Sequence, residues 1–245
     1  IRDIQTIETE LLMRDIISVE KRIEKLEKTA RVGDKDSKEE LVILNFIYPK
    51  MNEGMLIHDM PLDSNQKNCL RTFSLLTNKP TLYVLNVDED EISAHERSPA
   101  IQQLFDFIEK RGNRAIRLCG KLESEISALP EDEKNHYLIE YNLQESGLTK
   151  LIHASYKLLN LETFFTVSEK EARAWTIKKG VSAPEAAGEI HTDMEHGFIK
   201  AEVYTFIDLI QYKSEQALKD AGKIRLEGKN YIVQDGDIIF FKFNV

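Results

Sequence analysis

The stretch Pro80-Thr81-Leu82-Tyr83-Val84-Leu85-Asn86-Val87-Asp88-Glu89 holds an apolar run that stops abruptly at polar residues. Its β-branched and aromatic content, fenced by Pro80 and by the acidic cluster Asp88-Glu89-Asp90-Glu91, predicts a buried strand. Ligands of open α/β sheets sit outside the carboxyl ends of parallel strands, so Asn86, Val87, Asp88 and Glu89 form a site candidate. The competing reading is an ordinary polar strand-to-helix loop.

Downstream, residues 97–111 place Ile101, Leu104, Phe105 and Ile108 on one helical face, and Gly112-Asn113 ends that helix. Ala115-Ile116-Arg117-Leu118-Cys119 reads as a second strand. Strand, helix and strand make a βαβ unit with parallel strands and a right-handed crossover, which sets Cys119-Gly120-Lys121 beside Asn86–Glu89. Residues 121–142 read as helix, and Leu148, Leu151, Ile152, Tyr156 and Leu159 as the packed face of another.

Upstream, Leu12, Ile16, Val19, Ile23 and Leu26 recur in steps of 4, 3, 4 and 3, an a/d seam on a helix over residues 4–30. Gly33-Asp34-Lys35-Asp36-Ser37 breaks the pattern and supplies caps for a second helix, whose Leu41, Leu44, Tyr48 and Met51 repeat the spacing. Pro49 is expected to kink or shorten it. The pair reads as an antiparallel hairpin, followed by a short helix over residues 65–77. Along the hairpin run Lys21, Lys25, Lys28, Arg31, Lys35 and Lys38. Interleaved Glu20, Glu24 and Glu27 favour a solvated, ion-paired face; a phosphate-contacting stripe is the sharper alternative.

From Glu162 the pattern turns to short strands: ETFFTVS, RAWTIKKG, FIKAEVYTF and KIRLEGKNYIVQDGDIIFFKFNV, with a brief helix over Pro184–Ile190 and a helix-like piece over Ile207–Lys219. Asp235-Gly236-Asp237 marks a tight turn before the last strand. Four or five strands with one or two helices in residues 162–245 predict a small α+β domain of β-grasp type. Lys178, Lys179, Lys200, Lys223, Arg225 and Lys229 are its candidate cation cluster.

The 245 residues carry 33 Lys and Arg against 42 Asp and Glu, a net charge of -9 that argues against indiscriminate nucleic-acid binding. No apolar run reaches the roughly 18 residues of a membrane span. Cys69 and Cys119 have no paired spacing, which signals neither a zinc site nor a disulfide and makes reducing cytoplasm the simplest home. The chain opens at Ile1-Arg2-Asp3 without methionine and already in helical pattern, as the remainder of a longer protein would.

No G-x-x-x-x-G-K-[ST] is present; Gly222-Lys223 is followed by Ile224 and reads as a turn before a strand. His58, His95, His136, His153, His191 and His196 lack metal-ligand spacing, and His191-Thr192-Asp193 reads as a cap or turn. The end of the Pro80–Glu89 strand carries more. Guanine-specific NTPases have N-K-x-D there, the Asp accepting from guanine N1–H and the 2-amino group. Here the Lys position is Val87 and the final Asp is Glu89, a change expected to weaken guanine reading.

With TNKPTLYVLNVDEDE, LNLETFFTVSEKEARAWTIKKGVSAPEAAGEIHTDMEHGFIKAEV and GKNYIVQDGDIIFFKFNV, the chain resembles the Obg-like ATPase (YchF) family of translation-factor-class P-loop proteins over essentially its whole length. The resemblance implies α/β plus α+β architecture. Residues 1–61 would be a helical coiled-coil hairpin inserted in a Ras-like P-loop NTPase (G) domain. Residues 62–161 would be the C-terminal part of that domain, and residues 162–245 a TGS β-grasp domain. It also implies ATP preferred over GTP, Mg2+ dependence, slow hydrolysis to ADP and phosphate, a cytoplasmic location, and association with the ribosome or its RNA; a monomer is the expected state.

Residue by residue, Asn86, Val87 and Glu89 match the family's altered base-recognition motif, with Val87 toward the adenine. Cys119, Gly120 and Lys121 match the last nucleotide-binding loop, whose backbone N–H groups face the base. The family's P-loop, switches and water-positioning histidine precede the segment matching Ile1, so no catalytic or metal residue is assigned and these residues alone are expected to be inactive. The alternative is a non-catalytic RNA- or ribosome-binding module. Its contacts would be Lys21, Lys25, Lys28, Arg31 and Lys35 on the hairpin with Lys178, Lys179, Lys200 and Arg225 in the last domain.

Overall fold

The computed structural model describes residues 1–168 and 171–244. It divides into two compact units, Ile1–Ala154 and Ser155–Val245.

In the first unit, α1 (Arg2–Arg31) and α2 (Lys35–Asn52) run antiparallel. Their cross-contacts descend one helix as they climb the other: Thr29 Oγ1 to Ser37 Oγ at 2.9 Å, Arg22 to Glu40 at 2.7 Å, and Tyr48 Oη to Glu20 at 3.2 Å. Leu12, Val19 and Leu26 are buried at heptad steps, with Ile16 and Ile23 packed beside them, as the seam predicts. Across from them lie Leu44, Ile47 and Met51. Asp34 caps α2, its Oδ2 accepting from the Ser37 N–H at 2.9 Å.

Two expectations on length are corrected here. α2 is not cut short at Pro49 but runs to Asn52, because a proline in the final turn leaves little helix beyond it to lose. The helix expected over residues 65–77 is α3 (Ser64–Arg71) alone; Ser74, at φ 52°, turns the chain into a 3-10 turn over Leu76–Asn78.

That turn is gripped from the hairpin. Asp15, 2% exposed on α1, accepts from Leu76 N–H (2.9 Å), Thr77 N–H (2.7 Å) and Thr77 Oγ1–H (2.7 Å). One helical turn pair earlier, Glu8 accepts from Tyr83 Oη–H at 2.5 Å and from the Arg111 guanidinium at 2.7 Å.

The chain then forms β1 (Leu82–Asn86), α4 (Glu89–Ser93), α5 (Pro99–Lys110) and β2 (Arg114–Leu118). β1 and β2 are parallel, with Leu82 opposite Arg114 and Asn86 opposite Leu118. The expected full burial of the first strand is corrected: Val84 is 44% exposed, since among the described residues β1 pairs only with β2. The helix expected over residues 121–142 is divided at Pro130 into α6 (Gly120–Ala128) and α7 (Glu131–Glu140). On α8 (Gly147–Leu159), Leu148, Ile152 and Leu159 are exposed instead of packed.

The second unit comprises β3 (Leu161–Val167), β4 (Ala172–Lys178), α9 (Ala183–Gly188), α10 (Thr192–His196), β5 (Phe198–Thr205), α11 (Phe206–Tyr212), α12 (Glu215–Asp220), β6 (Arg225–Glu227) and β7 (Asp237–Phe243). The sheet order is β4-β3-β7-β5-β6, with β3 and β7 parallel and the other neighbours antiparallel. Phe164, Ile177, Val203, Ile239 and Phe241 are buried in one core with Ala183, Ala186 and Ala187 of α9. Burying a side chain such as Phe164 contributes roughly 2–3 kcal/mol. Lys213, at φ 65°, splits the expected helical piece into α11 and α12. Glu169, Lys170 and the terminal Val245, all within matched segments, lie outside the described residues.

Candidate functional site

The parallel register delivers the ends of β1 and β2 side by side, and hydrogen bonds then tie the two following loops together. The Val87 N–H donates to Leu118 O at 2.9 Å, and the Gly120 N–H donates to Asn86 Oδ1 at 2.9 Å. A Cβ at Gly120 would lie 3.3 Å from that same Oδ1, so glycine suits this close approach. Asp88 caps α4, accepting from the Glu91 N–H at 2.8 Å and turning the chain immediately after Val87. Glu89, the first residue of α4, meets Lys121 of α6, with Oε1 2.6 Å from Nζ. The carboxylate holds the exposed Lys121 ammonium above its usual pKa, chiefly through this hydrogen bond.

All six sequence-predicted base-site residues therefore belong to one sheet edge, with differing accessibility. Asn86 and Lys121 are exposed, Glu89 and Val87 half-buried, and Cys119 is buried. The Cys119 side chain packs with Ile92 and Leu122, against which Val87, Tyr137, Tyr141 and Leu143 also lie. The Gly120 N–H, one of the backbone donors of this loop, is committed to Asn86. In chemical terms the edge presents an amide side chain fixed as a strut, a carboxylate matched to an ammonium, and an apolar bed under Val87.

Two supports escaped the sequence reading. Arg117 on β2 donates to Glu91 O at 2.8 Å and Ala94 O at 2.9 Å, holding α4 against the sheet edge. Tyr137 and Tyr141 pack with ring centroids 5.1 Å apart and planes tilted by 39° beside the Val87 bed. Alternation along β2 marks Arg117 as sharing a face with Ala115, a signal visible in the sequence. The tyrosines sit one turn apart in an acidic segment, and nothing in their spacing points to β1.

The expected contact cations fall into two groups. Lys21, Lys25, Lys28, Arg31 and Lys35 are all exposed, and among the described residues none forms an ion pair; Glu20 is used by Tyr48 instead. The face is solvated as expected, but the ion pairs that the interleaved glutamates suggest are corrected: Glu20 is taken by Tyr48 of the partner helix, and Glu24 and Glu27 are exposed. In the second unit, Lys178 Nζ donates to Leu159 O at 3.1 Å and Lys179 pairs with Glu162 at 2.8 Å. Arg225 reaches Tyr231 Oη at 3.1 Å and Asp237 at 3.4 Å. Lys200 is half-buried. His191 caps α10, its Nδ1 accepting from the Asp193 N–H at 3.2 Å, as read from the sequence.

No group of three or more His, Cys, Asp or Glu side chains among the described residues is arranged to hold a metal ion. No helix among them is long and apolar enough to cross a membrane.

Residues 161–244 match the family YchF-GTPase_C, described as a protein of unknown function (DUF933). Among curated proteins, the chain is similar to the ribosome-binding ATPase YchF of Pasteurella multocida, 47% identical over 243 residues, covering 99% of this chain and 66% of the relative. It is also similar to the ribosome-binding ATPase YchF of Bacillus subtilis, 44% identical over 245 residues, covering 100% of this chain and 67% of the relative. The chain thus spans about two thirds of the length of these relatives. Among solved structures, that of the Schizosaccharomyces pombe YchF GTPase matches with a TM-score of 0.80 at 33% identity, over 98% of this chain and 65% of that one. A GTP-binding protein from Pyrococcus horikoshii shares the fold, with a TM-score of 0.58 at 20% identity over 99% of this chain and 71% of that one.

Proposed function

The chain belongs to the YchF family, and from that premise we propose that it serves an ATP-binding, ribosome-associated NTPase that hydrolyses ATP to ADP and phosphate, preferring ATP over GTP. Residues 1–61 act as a coiled-coil hairpin inserted in a Ras-like P-loop NTPase domain, residues 62–161 supply the base-reading part of that domain, and residues 162–245 form a TGS β-grasp module. The protein works in the cytoplasm, as a monomer, on ribosomes. The relatives are named as ATPases, which does not favour a purely non-catalytic binding module.

The observation that carries the base preference is the Glu89–Lys121 pair at 2.6 Å. Guanine recognition needs an acceptor for its N1–H and 2-amino hydrogens, and a carboxylate already bound to an ammonium is a poorer one. Adenine presents a lone pair at N1, so it asks nothing of that carboxylate. Asn86 and Gly120 hold the two loops at fixed separation, with Val87 toward the adenine and the apolar bed beneath it. Magnesium, when bound, supplies charge neutralisation at the phosphates; none of the residues described here is assigned to it.

The test is nucleotide binding by the full-length protein, read by titration calorimetry. Wild type is expected to bind ATP more tightly than GTP, and Lys121→Met to raise GTP affinity several-fold relative to ATP by freeing Glu89. Tighter binding of GTP by the wild type sinks the base reading. The 245 residues by themselves, which contain no G-x-x-x-x-G-K-[ST], are expected to show negligible ATP turnover.

On the ribosome side, the cations of the hairpin are the contact surface. Lys21, Lys25 and Lys28, at steps of 4 and 3 on α1, share one face, and their unpaired exposure is what supports a phosphate-contacting role.

A further inference from the structure

A cavity of about 470 Å³ opens at the amino end of β1, lined by Lys67 and Arg71 of α3, by Lys79 and Asn78, and by an apolar floor that includes Leu70 and Leu75. Leu70 is fully buried and Leu75 is 3% exposed, so the floor is solid core and not loose surface. The volume lies in the range of small-ligand sites. Lys79 and Pro80 precede β1, whereas Asn86 ends it, and a five-residue strand separates the two by about 17 Å. The cavity is therefore distinct from the base site.

Its electrostatics are unusual for this chain. Acidic residues outnumber basic ones by 42 to 33, yet no carboxylate lines the cavity. Among the described residues, Lys67, Arg71 and Lys79 form no ion pair. The two nearest acids in sequence are committed elsewhere. Asp63 caps α3, accepting from the Gln66 N–H at 2.8 Å, and Asp59 accepts from Arg111 at 3.2 Å while facing His58 Nε2 at 3.1 Å. His58, which also lines the cavity, is pinned by its Nδ1 to Thr77 O at 2.9 Å. Three solvent-facing cations without a carboxylate partner thus ring an apolar floor, the complement of an anion that carries a flat, weakly polar body.

We propose that this cavity takes one nucleotide of single-stranded RNA, its phosphodiester among Lys67, Arg71 and Lys79 and its base on the apolar floor. Unstacked bases of RNA loops and ends are the parts that proteins take up, on aromatic rings or guanidinium planes, and of these the cavity offers the His58 ring and the Arg71 guanidinium beside its aliphatic floor. The proposal rests on the ribosome-associated reading above and adds a second RNA contact to that of the hairpin.

The experiment measures binding of a fluorescein-labelled single-stranded RNA of about 10 nucleotides to the full-length protein by fluorescence anisotropy, between about 50 and 200 mM KCl. The triple variant Lys67→Gln, Arg71→Gln, Lys79→Gln replaces exposed side chains only. It is expected to bind about tenfold more weakly, with a salt slope reduced by about 2, while its ATP affinity stays at the wild-type value. Wild-type RNA affinity in the triple variant overturns the cavity assignment and leaves the ribosome reading standing. Absence of RNA binding by the wild type overturns both. Displacement of the RNA by polyglutamate as effectively as by unlabelled RNA overturns the RNA assignment in favour of an acidic peptide.

Discussion

The hairpin and the C-terminal unit carry similar basic residues that end in different places. Lys178, Lys179 and Arg225 finish on Leu159 O, Glu162 and Asp237, each within the fold of its own unit. Lys21, Lys25 and Lys28 finish in solvent, although glutamates flank them in sequence. The C-terminal unit is a five-stranded sheet that brings distant acceptors, the Glu162 and Asp237 carboxylates and the Leu159 carbonyl, to its cations, whereas a two-helix hairpin offers each surface cation only its own helix and one neighbour. A basic side chain's role is thus set by which acceptors the topology delivers to it.

The strongest way to break that contrast is at the hairpin root, where a carboxylate is consumed internally. Asp15→Ala should destabilise the first unit by about 3 kcal/mol, because three donors lose a charged acceptor in a buried place. The only tryptophan, Trp175, lies in the second unit. Urea unfolding should accordingly show an early loss of helical circular dichroism with an unshifted tryptophan transition; a coincident shift of both signals would contradict it.

Next in size, Lys21→Glu, Lys25→Glu, Lys28→Glu should weaken RNA or ribosome binding of the full-length protein by about tenfold, with stability changed by less than about 0.5 kcal/mol. Lys178→Ala with Lys179→Ala should change that binding less than about twofold, since Lys178 is already engaged by the Leu159 carbonyl and Lys179 by the Glu162 carboxylate. Equal losses from the two sets, measured by co-sedimentation, would erase the distinction drawn between the regions.

The smallest effect concerns acid. Glu185 accepts from the Ser182 N–H and Oγ–H, both at 2.7 Å, which hold its pKa below the usual carboxylate value. A depressed folded pKa means that this contribution is complete above the ordinary unfolded value, about pH 4.3, and fades as pH falls through the lower folded one. Glu185→Gln should flatten that part of the stability-pH curve, as followed by Trp175 fluorescence between about pH 5 and 2; a curve parallel to wild type would remove Glu185 from the account.

Periodicity made much of this legible. The seam through Leu12, Val19 and Leu26 and the short apolar runs of β3, β5 and β7 are local patterns, and each sits in the element it predicts. The partner of a strand is not local. β1 reads as buried from its apolar run, yet Val84 is exposed because burial depends on neighbours that an isolated run does not specify. Asp15 stands next to the seam, where a charge ordinarily faces water, and only the fold brings Leu76 and Thr77 to it. At the candidate site, βαβ spacing was enough to bring Asn86 and Gly120 to one edge, but the Glu89–Lys121 pairing depends on side-chain geometry across two helices. The brief helix α10 was legible only as a cap at His191, since five residues carry too little pattern to declare a helix.

Asp15 and Glu8 have a mechanical consequence. They clamp α1 at two points, onto the turn before β1 and onto Tyr83 within it. From Asp15 to Arg31 the helix extends for 16 residues, about 24 Å of stiff rod. A force applied at the far end therefore acts through a lever arm, with its fulcrum at a buried carboxylate, and the torque is delivered to the strand whose other end is Asn86, just ahead of Glu89.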